Sequence, residues 1–141
     1  MSQSTTRPRP LNEPFLPEPE RRQNTFNAVW QHSAQMTGRS MDADRRGCMY
    51  RAPDGNRCFV GALIPDAAYD PAMDNLENFP DSTIDNVLDE YDGLAESLTG
   101  AGYTTEPYFL KELQRIHDQD FERREERLIA FARTYNLTIP A

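Results

Sequence analysis

Apolar positions recur three and four residues apart in four stretches of this chain, and in a fifth stretch they flank a tight turn. Phe26, Val29, Trp30, Ser33 and Met36 keep helical spacing and predict a first helix from about Asn24 or Thr25 to Gly38, where glycine suits the closing turn. Ile84, Val87, Leu88, Tyr91, Leu94, Ala95 and Leu98 hold the same period through Gly93, with Ser82 and Asp85 resembling a capping box, and predict a second helix that Gly100 ends. Leu110, Leu113, Ile116, His117 and Phe121 predict a third from about Pro107 to Phe121. Leu128, Ala132 and Tyr135 predict a fourth from Arg124 to Tyr135, and no repeat period runs through the chain.

Residues 48–60 read differently. Two short apolar runs flank Pro53-Asp54-Gly55, a sequence suited to a type I turn followed by a glycine in the left-handed region. This predicts a short β-hairpin in which Ala52 faces Asn56, Tyr50 faces Cys58 and Cys48 faces Val60, with both cysteines on the Tyr50 face. Diagonal neighbours lie about 7 to 8 Å apart, beyond the reach of a relaxed disulfide, so two thiols are expected. After Ala62-Leu63-Ile64, Pro65 stops the run, and residues 65–74 read as irregular with Tyr69 and Met73 as apolar contacts. The expected fold is α+β, mainly α: a bundle of about four helices with one β-hairpin. It forms a single domain over residues 21–141, behind a tail over residues 1–20. Pro8, Pro10, Pro14, Pro17 and Pro19 remove amide donors there and favour extended, disordered chain.

Composition narrows the function classes. A length of 141 residues with 38% hydrophobic content supports one modest core. No window approaches the roughly 18 apolar residues of a spanning helix, and no apolar run follows the N-terminal charges, so a cytoplasmic protein without membrane partners is expected. Thiols in such a compartment are packed or metal-bound more often than bridged. The net charge of −8 is uneven. No basic residue stands between Arg57 and Lys111, while Asp66, Asp70, Asp74, Glu77, Asp81, Asp85, Asp89, Glu90, Asp92, Glu96 and Glu106 do. That stretch repels phosphate backbones and disfavours nucleic acid as a partner. Asp81, Asp85, Asp89, Glu90, Asp92 and Glu96 are the candidate contacts for a basic protein. Residues 39–57 carry the opposite bias, with Arg39, Arg45, Arg46, Arg51 and Arg57.

The central segment resembles the core of small uncharacterised proteins found in phage, prophage and bacterial genomes. The pattern is C-x-Y-R, a turn with glycine, C-x-x-G-x-L-I-P-D, then Tyr and Pro. Cys48, Tyr50, Arg51, Gly55, Cys58, Gly61, Leu63, Ile64, Pro65, Asp66, Tyr69 and Pro71 match it. The resemblance extends to His32 and to Leu113–Asp118, covering most of residues 24–139. It implies no activity. Where those proteins often carry a second small or Cys residue and a Glu, this chain has Ala62 and Asp74.

His32, Cys48, Cys58 and His117 are all the His and Cys of the chain and would together complete a tetrahedral zinc set, although their spacing is that of no known finger or ribbon. Buried thiols and hydrogen-bonded imidazoles explain them without a cofactor. A cysteine nucleophile needs His117 with an orienting carboxylate, and adjacent positions such as His117 and Asp118 point about 100° apart on a helix, a poor pair. Asp42 to Gly47 mimics an EF-hand start but has Arg46 and Pro53 where ligands belong. There is no Walker A, dinucleotide or nucleophile-elbow motif, so an enzyme ranks last. Tyr50, Arg51, Arg57, Asp66 and Tyr69 form a candidate ligand-binding set, arginines gripping an anion while a tyrosine stacks. The plainer alternative is ion pairing of those arginines with Asp54 or Asp66. The leading expectation is a non-enzymatic protein-interaction module, a mobile-element accessory protein acting through its acidic surface. A small-ligand or nucleotide binder is the alternative.

Overall fold

The computed structural model describes residues 16–41, 49–74 and 84–140, apart from the side chains of residues 85, 86 and 92. Helix α1 spans Glu18–Gln35, beginning ahead of the expected Asn24. The reason lies in its first turn, where amides have no intrahelical partner: a proline there forfeits no bond, and Glu18 and Glu20 suit the positive helix end. The predicted tail thus lies outside the described residues except for 16–20, of which Glu18–Glu20 are helical.

The β-hairpin expected over residues 48–60 does not form: among the described residues there is no β-strand, and its two arms meet in an isolated antiparallel bridge between Arg51 and Arg57. The turn itself closes, with Gly55 at φ 93° and the Gly55 amide donating to the Ala52 carbonyl at 3.0 Å. Two rungs follow in the expected register, the Ala52 amide donating to the Asn56 carbonyl at 2.8 Å and the Cys58 amide to the Tyr50 carbonyl at 3.4 Å, and the ladder ends there because other groups take its next backbone partners. Asp74 accepts the amides of Tyr50 and Arg51, the Val60 amide donates to Gln114 Oε1, and the Cys58 carbonyl accepts from Ala62. The chain then winds through 3₁₀ turns at Gly61–Leu63, Asp66–Ala68 and Pro71–Asp74. Gly61 is pressed against the preceding arm so closely that a Cβ there would stand 2.0 Å from the Tyr50 carbonyl oxygen.

The single helix expected from Ser82 to Gly100 is two: α2, Ile84–Glu90, and α3, Asp92–Gly100. Tyr91 between them is extended, at φ −115° and ψ 93°. Gly93, costly inside a helix by about 1 kcal/mol, falls instead in the first turn of α3, and the break lets Leu94 and Leu98 enter the core alongside Ile84 and Val87. The capping residue Ser82 lies outside the described residues. Helix α4, Pro107–Gln119, ends two residues before the predicted Phe121. Helix α5 spans Arg124–Tyr135, as its spacing predicts, and closes on Asn136 in the left-handed region at φ 56°. Among the described residues the architecture is therefore five α-helices with short 3₁₀ turns between α1 and α2 and between α4 and α5, which replaces the α+β assignment.

Helix α1 packs on α5 and on the Gly61–Leu63 turn, and α4 packs on α2 and α5. Phe26, Phe109, Phe131 and Tyr135 meet between α1, α4 and α5, with ring centroids 4.9 Å apart for Phe109 and Phe131 and 6.1 Å for Phe26 and Phe131. Phe59, Val60, Leu63 and Ile64 are equally buried, so the turn region is part of the same core. Among the described residues no helix is long and apolar enough to cross a membrane.

Candidate functional site

Four of the five residues in the candidate ligand set converge on the surface around residues 51–74. Arg51 Nη2 stands 2.9 Å from Asp66 Oδ1, and Arg57 Nη2 stands 3.4 Å from the same oxygen. The Arg51 guanidinium lies over the Tyr69 ring at 4.4 Å and donates to the Ile64 carbonyl at 2.8 Å. Its Nε is buried and has no hydrogen-bond partner among the described residues. Tyr50 is the exception, because its side chain is buried in the core rather than turned to the cluster. Asp66 is 80% exposed, so two arginines face a carboxylate that is otherwise open to water. An external carboxylate or phosphate would reach them by displacing it.

The organising residue is one that sequence reasoning missed. Asp74 accepts the Tyr50 amide at 2.7 Å, the Arg51 amide at 3.1 Å and the Tyr69 hydroxyl at 2.6 Å. These bonds fix the arm that carries Arg51 and the ring on which its guanidinium rests. The Tyr69 phenol is pushed well above its ordinary range by burial first and then by its bond to Asp74. No local pattern announces this role, since Asp74 lies 24 residues from Tyr50 in the chain.

The zinc set is not brought together among the described residues. No group of three or more His, Cys, Asp or Glu side chains there is arranged to hold a metal, and Cys48 lies outside them. His32 Nε2 sits 2.7 Å from the Arg57 carbonyl. The fully buried His117 accepts the Ser40 amide at Nε2, 3.1 Å away, which leaves the proton on Nδ1 to donate to Asp118 Oδ1 at 2.8 Å. The expectation that His117 and Asp118 make a poor pair is overturned. The roughly 100° helical offset separates the Cβ directions, but Nδ1 is the ring nitrogen nearer the backbone and the neighbouring carboxylate reaches it. The Phe59 and Phe121 rings meet the imidazole edge-on at 5.4 and 5.6 Å, and Gln114 also donates to Asp118 Oδ1. Cys58 Sγ accepts the Gly61 amide at 3.2 Å, and burial pushes its thiol far above the ordinary range, the opposite of an activated nucleophile.

The acidic candidates are divided. Asp89, Glu90 and Glu96 are exposed and form no ion pair among the described residues; Asp85 and Asp92 lie within α2 and α3, and Asp81 lies outside the described residues. Asp70 is likewise exposed, and its charge and that of Glu90 add to burial in raising the Tyr91 phenol, so both stand near one ring. Glu106, by contrast, is taken by a forked pair from Arg22, 2.5 Å at Nε and 2.8 Å at Nη2. Comparison with known proteins adds nothing to this geometry: no family model, no curated protein and no solved structure matches the chain.

Proposed function

We propose that this protein is a non-enzymatic interaction module that binds a basic partner protein through the acidic surface carried by α2 and α3. The observation that carries the reading is the exposure of Asp70, Asp89, Glu90 and Glu96 without an ion pair among the described residues, in a stretch that has no basic residue of its own. Unpaired carboxylates of one sign steer and select a positively charged partner. The resemblance to phage and prophage proteins supports an accessory role for a mobile element, acting in the cytoplasm. Affinity capture from cell lysate at low and high salt tests it, with the wild-type chain beside a D89N/E90Q/E96Q variant. A partner held at low salt, released at high salt and lost by the variant is the expected result. Capture that is indifferent to salt and to the variant sinks the reading.

A second reading rests on the convergence of Arg51, Arg57 and Tyr69 on Asp66. Such a cluster suits a small anionic ligand or a nucleotide, with the Asp66 carboxylate marking where the anion would sit. It ranks lower because Arg51 already donates to Ile64 and pairs with Asp66, and Tyr50 is buried. A thermal-shift screen of nucleotides and carboxylates without stabilisation at high ligand concentration removes it.

A further inference from the structure

A second face of the molecule carries features that the acidic surface of α2 and α3 does not account for. A cleft of about 350 Å³ opens between the carboxyl end of α1 and the amino end of α5, lined by Trp30, Ser33, Ala34, Glu122, Arg124, Glu125 and Leu128. Trp30 is half-buried, packing on Phe26 at 6.0 Å between ring centroids. No cation of the described residues lies over its ring. Glu122 and Glu125 are exposed at the rim, and neither has an ion-pair or hydrogen-bond partner among the described residues.

Arg124 shows what this place accepts. Its guanidinium donates to the carbonyls of Ser33, Met36 and Phe121 at 3.2, 3.0 and 3.2 Å and rests over the Phe121 ring at 4.1 Å. Two of those carbonyls belong to the end of α1, the negative pole of an 18-residue helix. Arg124 is thereby held by backbone oxygens and aromatic surface, which leaves both rim carboxylates uncommitted. An aromatic floor, an aliphatic wall from Leu128 and two free carboxylates at the amino end of α5, opposite the carboxyl end of α1, are complementary to a planar cation on a short aliphatic stem.

We infer that the cleft beside Trp30 is a docking site for an arginine side chain presented by a partner protein, with the guanidinium stacked on Trp30 and paired with Glu122 and Glu125. Trp30 is the only tryptophan of the chain, so its emission reports occupancy directly. The test titrates the full-length protein with a capped tetrapeptide of alternating glycine and arginine, following Trp30 fluorescence, beside the matching glycine and glutamine peptide. A saturable change with the arginine peptide alone is expected, and the E122Q/E125Q variant should weaken it about tenfold. An E20Q/E112Q variant removes the same number of charges outside the cleft lining and should shift binding less than about twofold. Equal weakening by both variants would mean that net charge alone attracts the peptide, and would overturn the site. No fluorescence change on peptide addition would overturn it also, as would an emission shift produced by R7Q/R9Q without any peptide, which would make the occupant this chain's own N-terminal segment. Failure here leaves the proposal for α2 and α3 standing, because its contacts are on other residues.

Discussion

Between α1, α4 and α5, Phe109 touches Phe131 and Tyr135 at 4.9 Å under the Arg22 guanidinium, which rests over the Phe109 and Tyr135 rings at 5.7 and 5.4 Å, and packing of surfaces rather than a hydrogen bond joins the rings. In the turn region of residues 50–74 the same core is sealed by a different means, a single carboxylate at Asp74 that ties two amides and a phenol. The first kind of cohesion is non-directional and graded with area; the second depends on particular atoms and fails when one is removed. The helices therefore follow from residue spacing, while the turn region does not. Mutation should separate the two regimes.

The largest effect is expected at their seam. Gly61→Ala places a methyl 2.0 Å from the Tyr50 carbonyl, a backbone atom that cannot step aside, and should cost about 4 kcal/mol or more in urea unfolding. Next, Phe109→Ala should cost about 3 kcal/mol by leaving a cavity, while Phe109→Leu recovers much of it because packing asks only for volume. Asp74→Ala should cost about 2 kcal/mol through donors left without an acceptor, and here Asp74→Leu, which keeps the branched shape but offers no acceptor, should recover nothing. If the leucine variants behave alike at the two sites, the contrast drawn between them is wrong.

The smallest effect is one of pH. Arg22 holds the Glu106 carboxyl below its ordinary 4.5, while Glu18, bonded to Thr104 and beside Glu106, is raised chiefly by burial. A depressed carboxyl contributes stability above its unfolded value and loses it as pH falls through the folded one; a raised carboxyl contributes below its unfolded value and loses that as pH rises. Acidification below about pH 4.5 should therefore lower Tm through Glu106, and Arg22→Gln should flatten that fall, the effect being under about 1 kcal/mol for so exposed a pair. An unchanged slope in the variant would assign the acid sensitivity elsewhere.

What could be read from the chain follows the same division. The bounds of α5 and the start of α4 were legible because Leu110, Leu113, Leu128 and Ala132 keep helical period between clear breakers. The glycine of the 53–55 turn was legible too, since Gly55 must take positive φ. The hairpin was not, because the groups that intercept its ladder, Asp74 and Gln114, come from well outside it. The break at Tyr91 was hidden by an apolar period that runs unbroken across it. In the candidate site the arginines and Asp66 were recognisable as a charged cluster near one turn, but the residue that positions them was not. The Trp30 cleft left no pattern at all, since its two walls come from opposite ends of the chain.

Ser40 hands its amide proton to a histidine 77 residues further on, and Arg39 reaches the carbonyl of the residue after that histidine. In the order of synthesis, the stretch after α1 meets Met49 and Asn56 early, through the Ser40 carbonyl and hydroxyl, but not the histidine that takes its amide. It must wait until α4 has followed it, so the final register of the amino-terminal third is set late and by the carboxyl-terminal half.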